Sequence, residues 1–73
     1  MLFYKMKVIL FGATGLAGSA LLKHLLQAGF EVTAFVRTPS KIKEEHAALQ
    51  ILEGDVLQGE SVAAAIEGQD AVV

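Results

Sequence analysis

Hydrophobic positions follow two alternating patterns along the chain. The run KVILFG, residues 7–12, is continuously apolar after its lysine, rich in Val and Ile, and stops at a glycine. An unbroken apolar run this short suits a strand buried on both faces. Over residues 16–28 the period changes. Ser19, Lys23 and Gln27 recur at i, i+4 and i+8 as one polar stripe, while Leu21, Leu22, Leu25 and Leu26 with Ala17, Ala20 and Ala28 fill the rest. This pattern predicts a helix whose wide apolar face packs on a sheet, and Gly29 stands where a helix C′ residue would. EVTAFVR, residues 31–37, has the Val, Thr and Phe content of a second strand. Thr38-Pro39 reads as an N-cap followed by proline at N1, predicting a short helix over 39–48. LQILEG (49–54) predicts a third strand, ESVAAAIEG (60–68) a third helix closed by glycine, and DAVV (70–73) the start of a fourth strand.

Strands and helices thus alternate with short connections, which argues for a parallel sheet with helices on its faces. The arrangement expected is α/β, Rossmann-like and three-layered, with right-handed crossovers and strand order 3-2-1-4. The first two helices then lie on one face and the third on the other. The side of the fourth strand is left as an open edge, and one helix alone covers the second face. Both are unusual in a stable monomer. The expectation is therefore the first half of a domain, one that continues beyond Val73 or associates with another chain.

Composition narrows the setting. At 73 residues the chain is near the size at which a single core becomes marginal, although 53% of it is hydrophobic. It has no cysteine, so disulfides and thiolate metal sites are excluded and a reducing compartment fits. The start MLFYKMKVILFG has no long apolar segment or cleavage site, and Val8–Phe11 is too short to span a bilayer. Met6 reads as a second possible start, with residues 1–5 as an extension. A soluble cytoplasmic protein without a membrane partner is expected. The net charge of −2 is unevenly spread: residues 1–43 hold all six bases and one acid, and residues 44–73 hold seven acids and no base. Because no basic cluster is interleaved with aromatics, no nucleic-acid partner is expected; oppositely charged solvated faces account for the asymmetry.

The candidate chemistry lies in FGATGLAG, where Gly12, Gly15 and Gly18 stand three residues apart between a buried strand and an amphipathic helix. A Rossmann fold places its phosphate-binding turn there. One glycine permits the tight turn, one lets the backbone approach a pyrophosphate, and one lets helix and strand pack closely. The helix N-terminus then offers free N–H groups and a positive dipole end to phosphate oxygens. A P-loop would need lysine after the final glycine, where this chain has Ser19. The competing reading is that the glycines serve helix–strand packing alone.

A dinucleotide site reads the adenosine ribose about 20 residues further on, where an acid would bind the 2′-OH of NAD. This chain has Arg37 there, with Ser40 and Lys41 close behind. A guanidinium, a hydroxyl and an ammonium suit a 2′-phosphate, so NADP(H) is expected over NAD(H). Arg37 also argues against a methyltransferase, which favours an acid at that position. The alternative is that Arg37 and Lys41 are ordinary solvated surface charges.

Together FGATGLAG, VRTPSK and EGDVLQGESVAAAIEGQDAVV resemble the atypical short-chain dehydrogenase/reductase family with the NAD(P)H-binding, NmrA-like fold. The nearest type is the flavin reductase/biliverdin reductase B type. The resemblance covers nearly all of residues 6–73. It implies that the glycine turn, including Thr14, Gly15 and Leu16, binds the pyrophosphate. It also implies that Arg37 reads the 2′-phosphate with Ser40 and Lys41 assisting, and that Asp55 and the backbone of Val56 contact the adenine. Read alone, Asp55 is equally a loop residue or an N-cap. Residues 1–73 are then the N-terminal part of a single NAD(P)-binding Rossmann domain. The function implied is that of an oxidoreductase or epimerase, or a non-catalytic NADP-sensing regulator. No catalytic residue is expected in the chain: the Tyr-x-x-x-Lys pair of many short-chain dehydrogenases is missing, since Tyr4 is followed four residues on by Val8. His24 and His46 read as surface helix residues.

Overall fold

The structure, a computed structural model, describes residues 6–73; the expected N-terminal extension and Tyr4 lie outside the described residues. The chain runs β1 (Lys7–Phe11), α1 (Leu16–Gln27), β2 (Glu31–Val36), a 3-10 turn (Pro39–Lys41), β3 (Leu49–Glu53), α2 (Gly59–Ile66) and β4 (Ala71–Val72). The four strands form one parallel sheet in the order β3-β2-β1-β4, as the alternation predicts.

Strand residues alternate between the faces, and parallel register brings like with like. Leu10 pairs with Ala34, and these with Val32 and Val36 form one buried cluster with Leu22 and Leu26 of α1. On the opposite face Ile9 and Phe35 pack with Ala65 of α2, and the half-buried Phe11 and Val62 join them. β1 is covered from both sides. Val8, Ile9 and Leu10 are 3%, 0% and 1% exposed, which is why the first apolar run shows no polar alternation. The buried face of α1 is narrower than the sequence suggests. Leu22 and Leu26 are buried and Leu21 and Leu25 partly so, but Ala17, Ala20 and Ala28 are exposed. α1 ends as expected. Gly29 takes φ +94° and its N–H donates to the Leu26 carbonyl, while the Phe30 N–H donates to that of Leu25, the paired bonds of a Schellman motif.

The helix expected over 39–48 does not form. Pro39–Lys41 is a single 3-10 turn; Thr38 stands at its N-cap position without a side-chain capping bond, and Ile42 is already extended (φ −77°, ψ 122°). The reason is packing. Ile42 and Ala48 both join the cluster under α1, yet residues six apart in an α-helix point about 120° away from each other. A helix would cover one of them and expose the other, whereas the irregular chain half-buries both. The face assignment holds: this segment lies on the α1 side and α2 on the other. His46 is consequently exposed in a turn rather than on a helix, its Nδ1 accepting the Ala48 N–H at 3.0 Å.

β4 is shorter than expected but firmly tied to β1. The Asp70 N–H donates to the Lys7 carbonyl at 2.7 Å, and Asp70 Oδ2 accepts the Lys7 N–H at 2.7 Å. Phe35 packs against Phe11 with ring centroids 5.2 Å apart and ring planes tilted by 56°, and it also lies against Gly54, where a Cβ would overlap its ring. Gly54→Ala is therefore expected to cost about 1–3 kcal/mol of stability by overpacking. Urea denaturation measures the loss, and Phe35→Leu in the same chain should recover part of it through pairwise coupling.

Candidate functional site

The three glycines do different work in the turn between β1 and α1. Gly12 has φ +73°, a conformation side chains rarely adopt, and its carbonyl accepts the Gly15 N–H at 3.2 Å to close the turn. Gly18 lies against that same carbonyl, and a Cβ there would overlap it. Its absence lets α1 settle onto the turn. Gly15 is different: a Cβ would meet only the Gly12 oxygen, at an ordinary 3.6 Å. Nothing in the protein itself requires glycine at that position.

Gly15 is also the N-cap of α1. No side chain caps this helix, and its first turn carries no acid. The Ser19 N–H donates to the Gly15 carbonyl at 2.8 Å, but the N–H groups of Leu16, Ala17 and Gly18 have no intrahelical acceptor. They form a positive pole beside an uncrowded backbone. Leu16 places an apolar side chain, 93% exposed, at the mouth of this pole, and Thr14 is exposed beside it.

The remaining candidates divide between two cavities. Arg37, exposed directly after β2, lines a cavity of about 520 Å³ with Glu53, Gly54, Asp55, Gln58 and Ser61. Lys41 lines another of about 290 Å³ with Thr14 and Ser19. Arg37 and Asp55 are thus brought together, as are Thr14 and Lys41, whereas Ser40 and Val56 are exposed and line neither cavity. A cavity of about 410 Å³ lies at the opposite end of the strands, beside Lys7, Glu31 and Gln69, away from the glycine turn.

Asp55 has a local role of its own. Its Oδ1 accepts the Leu57 N–H at 2.9 Å, and its carbonyl accepts the Gln58 N–H at 2.9 Å, fixing the β3–α2 loop as an Asx turn. Asp55→Ala should cost about 0.5–1.5 kcal/mol in thermal or urea unfolding, and Asp55→Asn, which keeps the acceptor oxygen, should cost less. Glu53, Gln58 and Ser61 were not legible as site residues. The hydroxyl of Ser61 donates to Gln58 Oε1 at 3.3 Å, and the only sequence signal was a polar opening to an otherwise apolar helix. Among the described residues, no group of three or more acidic or histidine side chains could hold a metal, and no helix is long and apolar enough to cross a membrane.

A sequence profile of the NAD(P)H-binding family matches residues 12–73. The chain belongs to that family. It is 38% identical over 66 residues to a 3-beta-hydroxysteroid dehydrogenase of Mycolicibacterium neoaurum, covering 90% of this chain and 18% of that protein. The structure of a candidate epimerase from Bacteroides thetaiotaomicron superposes with TM-score 0.88 at 46% identity, over 94% of this chain and 32% of that one. The Bordetella bronchiseptica enzyme WbmH, solved with NAD+, superposes with TM-score 0.80 at 26% identity, over 94% and 25%. The NAD(P)H-binding chain therefore spans about a third or less of the length of these proteins, and it is similar to epimerases and oxidoreductases.

Proposed function

We propose that residues 12–56 hold the adenosine and pyrophosphate half of NADP(H), within one Rossmann domain of an oxidoreductase or epimerase of the atypical short-chain dehydrogenase/reductase type. The observation that carries the reading is Gly15: it is the one glycine of the turn that neither a positive φ nor a close contact within the described residues requires, and it stands at an uncapped helix N-terminus. A pyrophosphate resting on Gly12, Thr14, Gly15 and Leu16 accounts for both facts. Gly18 supports it by allowing close packing of the helix. Arg37, Ser40 and Lys41, with no acid at the end of β2, favour the 2′-phosphate of NADP over the 2′-OH of NAD. Asp55 and Val56 border the adenine, Asp55 through the carboxylate oxygen not used in its Asx turn.

Bound nicotinamide would supply hydride-transfer chemistry in the whole protein. The residues named here bind and orient the cofactor, and none is assigned an acid, base or nucleophile. Titration of the purified protein with NADPH and NADH tests the assignment: saturable binding with NADPH tighter is expected, and no binding of either removes it. Oxidation of NADPH with flavin, quinone or dye acceptors would support the enzyme reading. Binding without turnover across such a panel would favour the NADP-sensing alternative.

A further inference from the structure

We propose that the outer edge of β3 is a self-association surface, where a second copy of this chain adds its own β3 antiparallel and joins the two sheets into one.

β3 ends the sheet, with β2 as its strand neighbour. The Val32 N–H donates to the Ala48 carbonyl and the Gly54 N–H to that of Val36, both at 2.9 Å. Alternate residues of a parallel strand bond to the same neighbour, so residues 48, 50, 52 and 54 face β2. Leu49, Ile51 and Glu53 turn their backbone groups outward. The Leu49 N–H is engaged with the His46 carbonyl at 3.1 Å. Among the described residues, the N–H groups of Ile51 and Glu53 are left as donors and the carbonyls of Leu49, Ile51 and Glu53 as acceptors.

Edges of this kind are ordinarily blunted by lysine, proline or a bulge. β3 has none of these, and its register with β2 is unbroken over five pairs. Its charge is confined to Glu53, at its end. Ile51 and Leu52 are 43% and 41% exposed, the first beside Ala34 on the α1 face and the second beside Phe35 on the α2 face.

This edge is complementary to itself. A two-fold axis normal to the sheet, passing beside Ile51, sets each Ile51 N–H against the Ile51 carbonyl of the second copy. Each Glu53 N–H then meets the Leu49 carbonyl across the axis, on the residue whose own N–H is already used. The two isoleucines touch on the α1 face, and Leu52 lies opposite Gln50 on the other. Charge selects this register. An axis at Leu52 would put the two Glu53 side chains diagonally adjacent on one face, where like charges repel. The axis at Ile51 holds them about 14 Å apart. Because the strands run antiparallel, the two glycine turns face opposite ends of the joined sheet.

Site-directed cross-linking and sedimentation of the purified protein test the pairing. The chain has no cysteine, so single cysteines report proximity. Paired Ile51 Cα atoms stand about 5.5 Å apart, within reach of a disulfide. In a glutathione redox buffer the Ile51→Cys protein should form a covalent dimer, and the Glu53→Cys protein at least about tenfold more slowly. In sedimentation equilibrium Ile51→Lys should weaken self-association at least about tenfold, and more than Val72→Lys at the opposite edge. Circular dichroism checks that both lysine variants fold; if either does not, the cysteine pair still decides. Equal cross-linking at the two positions, or association that Val72→Lys abolishes and Ile51→Lys leaves intact, overturns the proposal. Monomeric behaviour at roughly millimolar concentration also overturns it and leaves the edge to an extended segment of a different protein.

Discussion

Arg37→Glu is expected to weaken NADP binding about 10- to 100-fold while changing NAD affinity by less than about twofold. A charged hydrogen bond to phosphate is worth roughly 1.5–3 kcal/mol, and the substitution also places a third carboxylate beside Glu53 and Asp55. Repulsion therefore adds to the lost attraction. NAD carries no phosphate on that ribose and feels neither effect. Arg37 is exposed and without an ion-pair partner among the described residues, so the fold should tolerate the change. Parallel titrations with both dinucleotides decide the matter: equal losses would place Arg37 away from the 2′-phosphate.

The second large effect separates Gly15 from Gly18. Gly18→Ala gains roughly 1 kcal/mol of helix propensity, but its Cβ would overlap the Gly12 carbonyl, and neither backbone can rotate aside. Overpacking of this kind costs about 1–3 kcal/mol or more. Two rigid backbones put it at the upper end, so a net loss of about 2 kcal/mol is expected. That corresponds to a fall in Tm of roughly 10 °C for a domain this small. Gly15→Ala should behave in the opposite way. Its backbone is in the extended region at φ −73° and its Cβ makes only an ordinary contact, so Tm should move little. A methyl group there would, however, hold a pyrophosphate off the helix N-terminus, and dinucleotide affinity should drop at least about tenfold. Thermal melts with and without NADP+ read both effects. A Gly15→Ala protein that keeps full affinity would return the glycine turn to a packing role.

How far the molecule could be read from its sequence depends on what each signal measures. The two-sided burial of β1 was legible because an unbroken VILF run has one economical placement, inside a covered sheet. Gly29 was legible because a C′ glycine is required by local backbone conformation. The segment 39–48 was misread because Thr-Pro signals a helix start and says nothing about its length. Its outcome depended on Ile42 and Ala48 reaching a core built by α1 and β2, a tertiary effect with no local trace.

The site shows the same division. Spacing located the three glycines, but only the packing around them separated Gly18, which the fold requires, from Gly15, which it does not. Asp55 stayed ambiguous in sequence because an Asx turn and an adenine contact call for the same side chain; the structure displays the first.

In the proposed complex the phosphates of a nicotinamide dinucleotide rest on the N-terminus of α1. Titration of 15N-labelled protein with NADP+, followed through backbone amide resonances, tests it most directly. Saturable shifts are expected, concentrated at the amides of Gly15, Leu16, Ala17 and Gly18, with a second group at Arg37 and Lys41. Shifts confined to the cavity at the opposite end of the strands, around Lys7, Glu31 and Gln69, or binding that leaves the glycine-turn amides unmoved, would contradict it.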